Sequence, residues 1–127
     1  MTIAAIRLLI ALYAALYGVS PALATEICRL ESDFAWDAVG DQGRAVGPFQ
    51  IHRESWDFMC RARGMPTTDL RANPRANIEM AMYAIGKMNL GRWWSTWEIA
   101  QRNTSPQRES TVSARLRRIR MRYEGGV

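Results

Sequence analysis

Apolar positions along this chain recur at helical rather than strand spacing. Ile27, Leu30 and Phe34 fall on one stripe at about 100° per residue, which predicts a helix over 25–34 with Thr25 as its candidate N-cap. Residues 54–63 read as a second helix closed by Gly64. Ile78, Met82 and Ile85 share a face with Ala81 beside them, so 77–89 reads as a strong helix that Gly91 ends. Trp94, Trp97 and Ile99 begin another, running through Arg102. Val112, Leu116, Ile119 and Tyr123 predict a last amphipathic helix whose other face carries Arg115, Arg117, Arg118 and Arg122. Residues 33–48 are rich in glycine and lead into a short extended or early helical piece at 49–52. Almost nothing alternates with period two. The expected fold is a small, mostly α domain of about five helices with a short Gly-rich hairpin or loop.

One apolar run changes the picture. Residues 8–19 follow a short basic start ending at Arg7, Pro21 interrupts them, and Ala22-Leu23-Ala24 is a small-x-small site. That is the pattern of a secretory signal peptide cleaved after Ala24. The run is shorter than the roughly 20 residues a membrane helix needs, and an uncleaved anchor is the alternative. The expected organisation is a leader at 1–24 and one domain at 25–127. Removing 24 of the 127 residues leaves 103, enough for a single core.

Charge and cysteines follow from that reading. The formal charge of +5 falls to +4 when Arg7 leaves with the leader, and Lys87 is the only lysine. A basic exported protein is drawn to anionic surfaces such as cell walls, lipid headgroups or acidic glycans, and export argues against nucleic acid. Cys28 and Cys60 are the only cysteines. In an oxidising compartment an even count predicts a disulfide, worth roughly 3–4 kcal/mol in the chain-entropy model. Two buried free thiols are the alternative.

Glu31 sits inside the apolar stripe, between Leu30 and Phe34. Burial raises a carboxyl pKa and keeps its proton available near neutral pH, as a general acid requires. A helix rotated so that Glu31 meets solvent is the competing reading. Asp41 stands between Gly40 and Gly43 in the run 40–51, where glycines let the backbone turn sharply and approach a ligand. Two carboxylates on a short helix-loop unit are what acid/base cleavage of a glycosidic bond needs.

Cys28-Arg29-Leu30-Glu31-Ser32, then Gly40-Asp41-Gln42-Gly43, then Gly47-Pro48-Phe49-Gln50-Ile51 resembles the lysozyme-like superfamily. The likeness extends to goose-type and invertebrate-type lysozymes and to bacterial lytic transglycosylases, with Trp56 where the invertebrate enzymes have a tryptophan. It covers 27–60, with a weaker counterpart at 97–103. The resemblance implies a secreted or periplasmic peptidoglycan-cleaving enzyme, acting on the β-1,4 bond from N-acetylmuramic acid to N-acetylglucosamine. It implies Glu31 as general acid, Asp41 as the second carboxylate, and Ser32 and Gln50 as hairpin or substrate-orienting groups; Phe49, His52, Tyr83 and Asn103 are further candidate substrate-contacting positions. His52 replaces an Asp of the goose-type enzymes, Thr104-Ser105 replaces a Gly-Gly, and Ala114 stands where relatives have a tyrosine. The main expectation is hydrolysis; the rivals are anhydro-forming lytic cleavage, a non-catalytic glycan-binding protein, and a membrane-active basic protein.

No cofactor is expected. Asp33, Asp37 and Asp41 lack the ligand alternation of a calcium loop, and His52 is the sole histidine, so no metal is expected either. The expected partner is peptidoglycan glycan, met by a monomer. The Arg-rich last helix reads as a solvated face or as a peripheral contact with an anionic wall or membrane. Of the five tryptophans, Trp56 and Trp97 read as core, and Trp36 and Trp93 as candidates for stacking on sugar.

Overall fold

Capping residues define the helices. The computed structural model describes residues 1–105 and 119–120, so the last expected helix lies almost wholly outside them. Helix α1 is Ile3–Tyr17, α2 is Pro21–Ser32, α3 is Arg53–Ala62, α4 is Pro74–Lys87 and α5 is Trp97–Thr104. Thr2 caps α1 by accepting from the Ala5 N–H at 3.1 Å. Gly18 ends that helix in the left-handed region, Ser20 caps α2 and Pro21 opens it. Residues with the look of a cleavage region thus punctuate two helices, as glycine after a helix and Ser-Pro before one are suited to do. Asn73 caps α4 through the Ala76 N–H at 3.0 Å, with Pro74 at its first turn.

The segment expected to be a leader forms α1 and the opening turn of α2. Its packing is deep. Ile6, Ile10 and Ala14, one turn apart, have no exposed surface, and Val19 and Ala24 are buried beside them. They join Ile27 and Cys28 of α2, Trp56, Met59 and Cys60 of α3, and Ile78, Met82 and Ile85 of α4 in one core. Helix α1 packs on α4 and α2, and α2 packs on α5. The α1–α4 crossing is close: a Cβ on Gly86 would stand 2.1 Å from the Tyr17 carbonyl oxygen. The opposite side of α1 shows Leu8, Leu12 and Leu16 to solvent.

A small antiparallel sheet lies between α2 and α3. Strands β1 (Val39–Gly40), β2 (Ala45–Val46) and β3 (Ile51–His52) pair in sequence order, with Val39 opposite Val46 and Val46 opposite Ile51. The expected Gly-rich hairpin is therefore a three-stranded sheet. Buried Asn77 of α4 fixes it from below. Its Oδ1 accepts from the Phe49 N–H at 2.9 Å, and its Nδ2 donates to the carbonyls of Val46 and Arg71. Arg71 adds bonds to the carbonyls of Arg44 and Ile51. Such fully satisfied buried polar groups hold one geometry firmly.

Cys28 and Cys60 are both buried and both free, so the expected disulfide is not formed. The Cys28 thiol instead faces the Pro48 carbonyl at 3.5 Å. Among the described residues no helix is long and apolar enough to cross a membrane.

Candidate active site

Glu31 comes at the end of α2, one residue before the helix stops at Ser32, so its side chain leaves the core and enters a cleft. The cleft, about 240 Å³, is lined by Glu31, Gln50, Ile51, His52, Ser55, Met59, Trp93, Trp94 and Ser95. Desolvation by burial pushes the Glu31 carboxyl above its ordinary value. A hydrogen bond from the Thr96 hydroxyl, 2.6 Å from Oε2, and the positive charge available at His52 pull it partly back. The chain thus holds an acid whose proton persists to higher pH than that of a solvated glutamate.

The loop opposite is held rigidly. Ser32 donates to the Pro48 carbonyl at 2.8 Å, and the Trp94 indole donates to the Phe49 carbonyl at 2.8 Å, so both ends of the turn are anchored. Gly47 has φ +84°, and a Cβ there would meet Asn77 Nδ2 at 2.3 Å and the Arg71 carbonyl at 2.8 Å; only glycine fits. Gln50 sits at φ +47°, a costly conformation for a side-chain-bearing residue. Its Nε2 bonds the carbonyls of Ala38 at 3.1 Å and Gly47 at 2.9 Å, which holds it at the cleft wall.

Asp41 is placed differently from Glu31. It lies on the turn between β1 and β2, outside the cleft lining, with Oδ2 3.2 Å from His52 Nε2. Both side chains are about half exposed, so the pair orients the imidazole more than it stabilises the fold.

Gln50 and His52 therefore meet Glu31 in the cleft, while the other expected contact residues are elsewhere. Phe49 is fully buried and points into the core. Ser32 ties α2 to the turn. Tyr83 packs edge-on against Tyr17 and lies under the Arg63 guanidinium at 3.9 Å, in a cluster where Arg63 and Tyr17 both bond Glu79. Asn103 donates to Glu26 at 3.0 Å on the α2–α5 side. Trp56 is core, and its indole bonds the Thr68 carbonyl. Trp97 packs over Gly91. Trp93 is about half exposed and forms the aromatic rim of the cleft, backed by Phe58 at a ring separation of 5.1 Å. Thr96, Ser55 and Phe58 carried no sequence signal. Each becomes visible only when distant segments meet.

A short helix ending in a half-buried glutamate, a rigid glycine-dependent hairpin and a cleft with an aromatic rim define a lysozyme-like domain. The transglycosylase SLT domain matches residues 9–100, and the chain belongs to that family. The match begins within α1 and so includes most of the segment expected to be a leader. No curated protein and no solved structure gave a significant match. Family membership carries a peptidoglycan-directed activity of the lytic transglycosylase or lysozyme-like kind.

Proposed function

We propose that the protein cleaves the β-1,4 bond between N-acetylmuramic acid and N-acetylglucosamine as a lytic transglycosylase, with Glu31 as its catalytic acid. The observation that carries this reading is that, among the described residues, Glu31 is the only carboxylate lining the cleft. Hydrolysis by the two-carboxylate schemes needs a second acid on the reacting sugar. Asp41 is instead paired with His52. One acid suffices if the nucleophile is the sugar's own 6-hydroxyl. Glu31 gives its proton to the leaving oxygen as the C1–O4 bond breaks. The resulting carboxylate then takes the 6-hydroxyl proton as that oxygen bonds C1. The products are a 1,6-anhydro end and a free 4-hydroxyl, no water is consumed, and Glu31 is returned protonated. A carboxyl of raised pKa suits both steps. Trp93, half-exposed at the cleft, offers a stacking face for a sugar ring.

Hydrolysis is the second reading. It is favoured by the His52–Asp41 pair, which brings a second carboxyl group within 3.2 Å of a side chain that lines the cleft. Either reaction sets the site of action in the periplasm or outside the cell, where the polymer lies. Mass spectrometry of digested wall fragments separates the two, because the anhydro product lacks one water. A Glu31→Gln chain that clears wall suspensions as fast as the native one would remove Glu31, and both readings, from the mechanism.

A further inference from the structure

Thr96 stands at the N-cap of α5, where a threonine normally spends its hydroxyl on the first free N–H groups of the helix. Here it does not. Its backbone is in the right-handed helical region (φ −86°, ψ −2°), and its side chain makes no cap bond. The hydroxyl instead reaches Glu31 Oε2 at 2.6 Å, across 65 positions of sequence. A cap has been given up for a bond to the acid.

We propose that Thr96 is a positioning residue for the catalytic acid: by donating to Oε2 it holds that oxygen as an acceptor and leaves Oε1 to carry the transferable proton. The inference rests on the reading of Glu31 given above. A hydroxyl has one hydrogen, and a carboxylic acid is protonated on one oxygen. With Oε2 engaged as acceptor, the acid has a single productive arrangement rather than two. The same bond favours the ionised form, and so sets how far burial can raise the pKa.

Among the described residues, few other charges face Glu31. On its own helix, Cys28 lies one turn back, with a thiol that burial pushes up to about 11, so it stays neutral. From β3 comes His52, with Asp41 behind it. Helix α3 contributes Ser55 and Met59, and the segment before α5 contributes Trp93, Trp94 and Ser95, none of them charged. Thr96 and His52 are thus the two groups that oppose desolvation.

The test replaces Thr96→Val, which keeps the shape and removes the hydroxyl, and Thr96→Ser, which keeps the donor. Glu31 is followed directly by carboxyl NMR titration, which needs no activity, and kcat and KM are measured on wall fragments against pH. In Thr96→Val the Glu31 titration and the alkaline limb of kcat move to higher pH. At the native optimum kcat falls roughly tenfold, the size expected for losing one bond to a charged group, with KM within about twofold. Thr96→Ser restores both. If Thr96→Val is insoluble, Thr96→Ala serves in its place. A titration that superimposes on the native curve in the Val or Ala chain overturns the proposal, as does a Ser chain no better than the Val one. Wall left uncut by the native chain, with the titration shifted as described, refutes the functional reading while the positioning role stands.

Discussion

Deleting residues 1–24 tests whether α1 belongs to the working protein. Three of the large side chains lost, Ile6, Ile10 and Val19, are 0%, 0% and 7% exposed. At about 1.5–3 kcal/mol for each buried aliphatic side chain, they account for roughly 5–9 kcal/mol. The deletion also removes the Ser20 cap and the first turn of α2, and bares the face of α4 that α1 covers. A domain of this size has only about 5–15 kcal/mol of stability to lose. The chain 25–127 is therefore expected to show no cooperative transition by circular dichroism at 222 nm, where the full chain melts as one unit. Even a loss of about 5 kcal/mol lowers Tm by some 20 °C or more in a chain this short. In the full-length protein, Ile10→Ala is a milder probe, expected to cost about 2–5 kcal/mol. A truncated chain that melts cooperatively within a few degrees of the full one, and clears walls through Glu31, would refute the argument. We accordingly expect α1 to be retained in the active protein.

The hairpin should be equally intolerant at Gly47, where Gly47→Ala combines a positive φ with two sub-3 Å contacts; we expect a loss of about 2–4 kcal/mol in urea unfolding and of activity with it. Glu31→Gln should stabilise while it inactivates. A carboxyl whose folded pKa is raised costs stability above its unfolded value, so the gain in Tm should be present at neutral pH and vanish below about pH 4.5, where native Glu31 is also protonated. Both thiols are buried, with the Cys28 thiol pushed up to about 11, so a thiol reagent at pH 8 should count none promptly in the folded chain and two after denaturation. Dithiothreitol should leave Tm unchanged, whereas a marked fall would show a disulfide.

Several features were legible in the residues alone because they are set by neighbours a few positions away. Helix α4 follows from the 3.6-residue period of Ile78, Met82 and Ile85, its observed start three residues earlier being set by the Asn73-Pro74 cap. That Glu31 is partly withdrawn from water was legible from its place one helical turn after Ile27 and Cys28, which α2 buries, although the helix stops at Ser32 and leaves Phe34 outside it. The glycines of the hairpin announce the turn that Gln50 and His52 depend on.

What tertiary structure alone decided involves pairs far apart in sequence. Helix α1 is almost wholly apolar, so its composition reads the same for a leader as for a core helix; its packing on α4 and α2 comes only from the tertiary structure. An even cysteine count speaks for a bond, but the two thiols are each spent on core packing. Phe49 was a candidate substrate contact, yet its backbone N–H is claimed by Asn77 and its ring by the interior. The partner of Glu31 is Thr96, and that of His52 is Asp41, neither marked by any local pattern. Local sequence sets which conformation each segment prefers, whereas a side chain's neighbours, and hence its protonation and role, are set by where the chain returns.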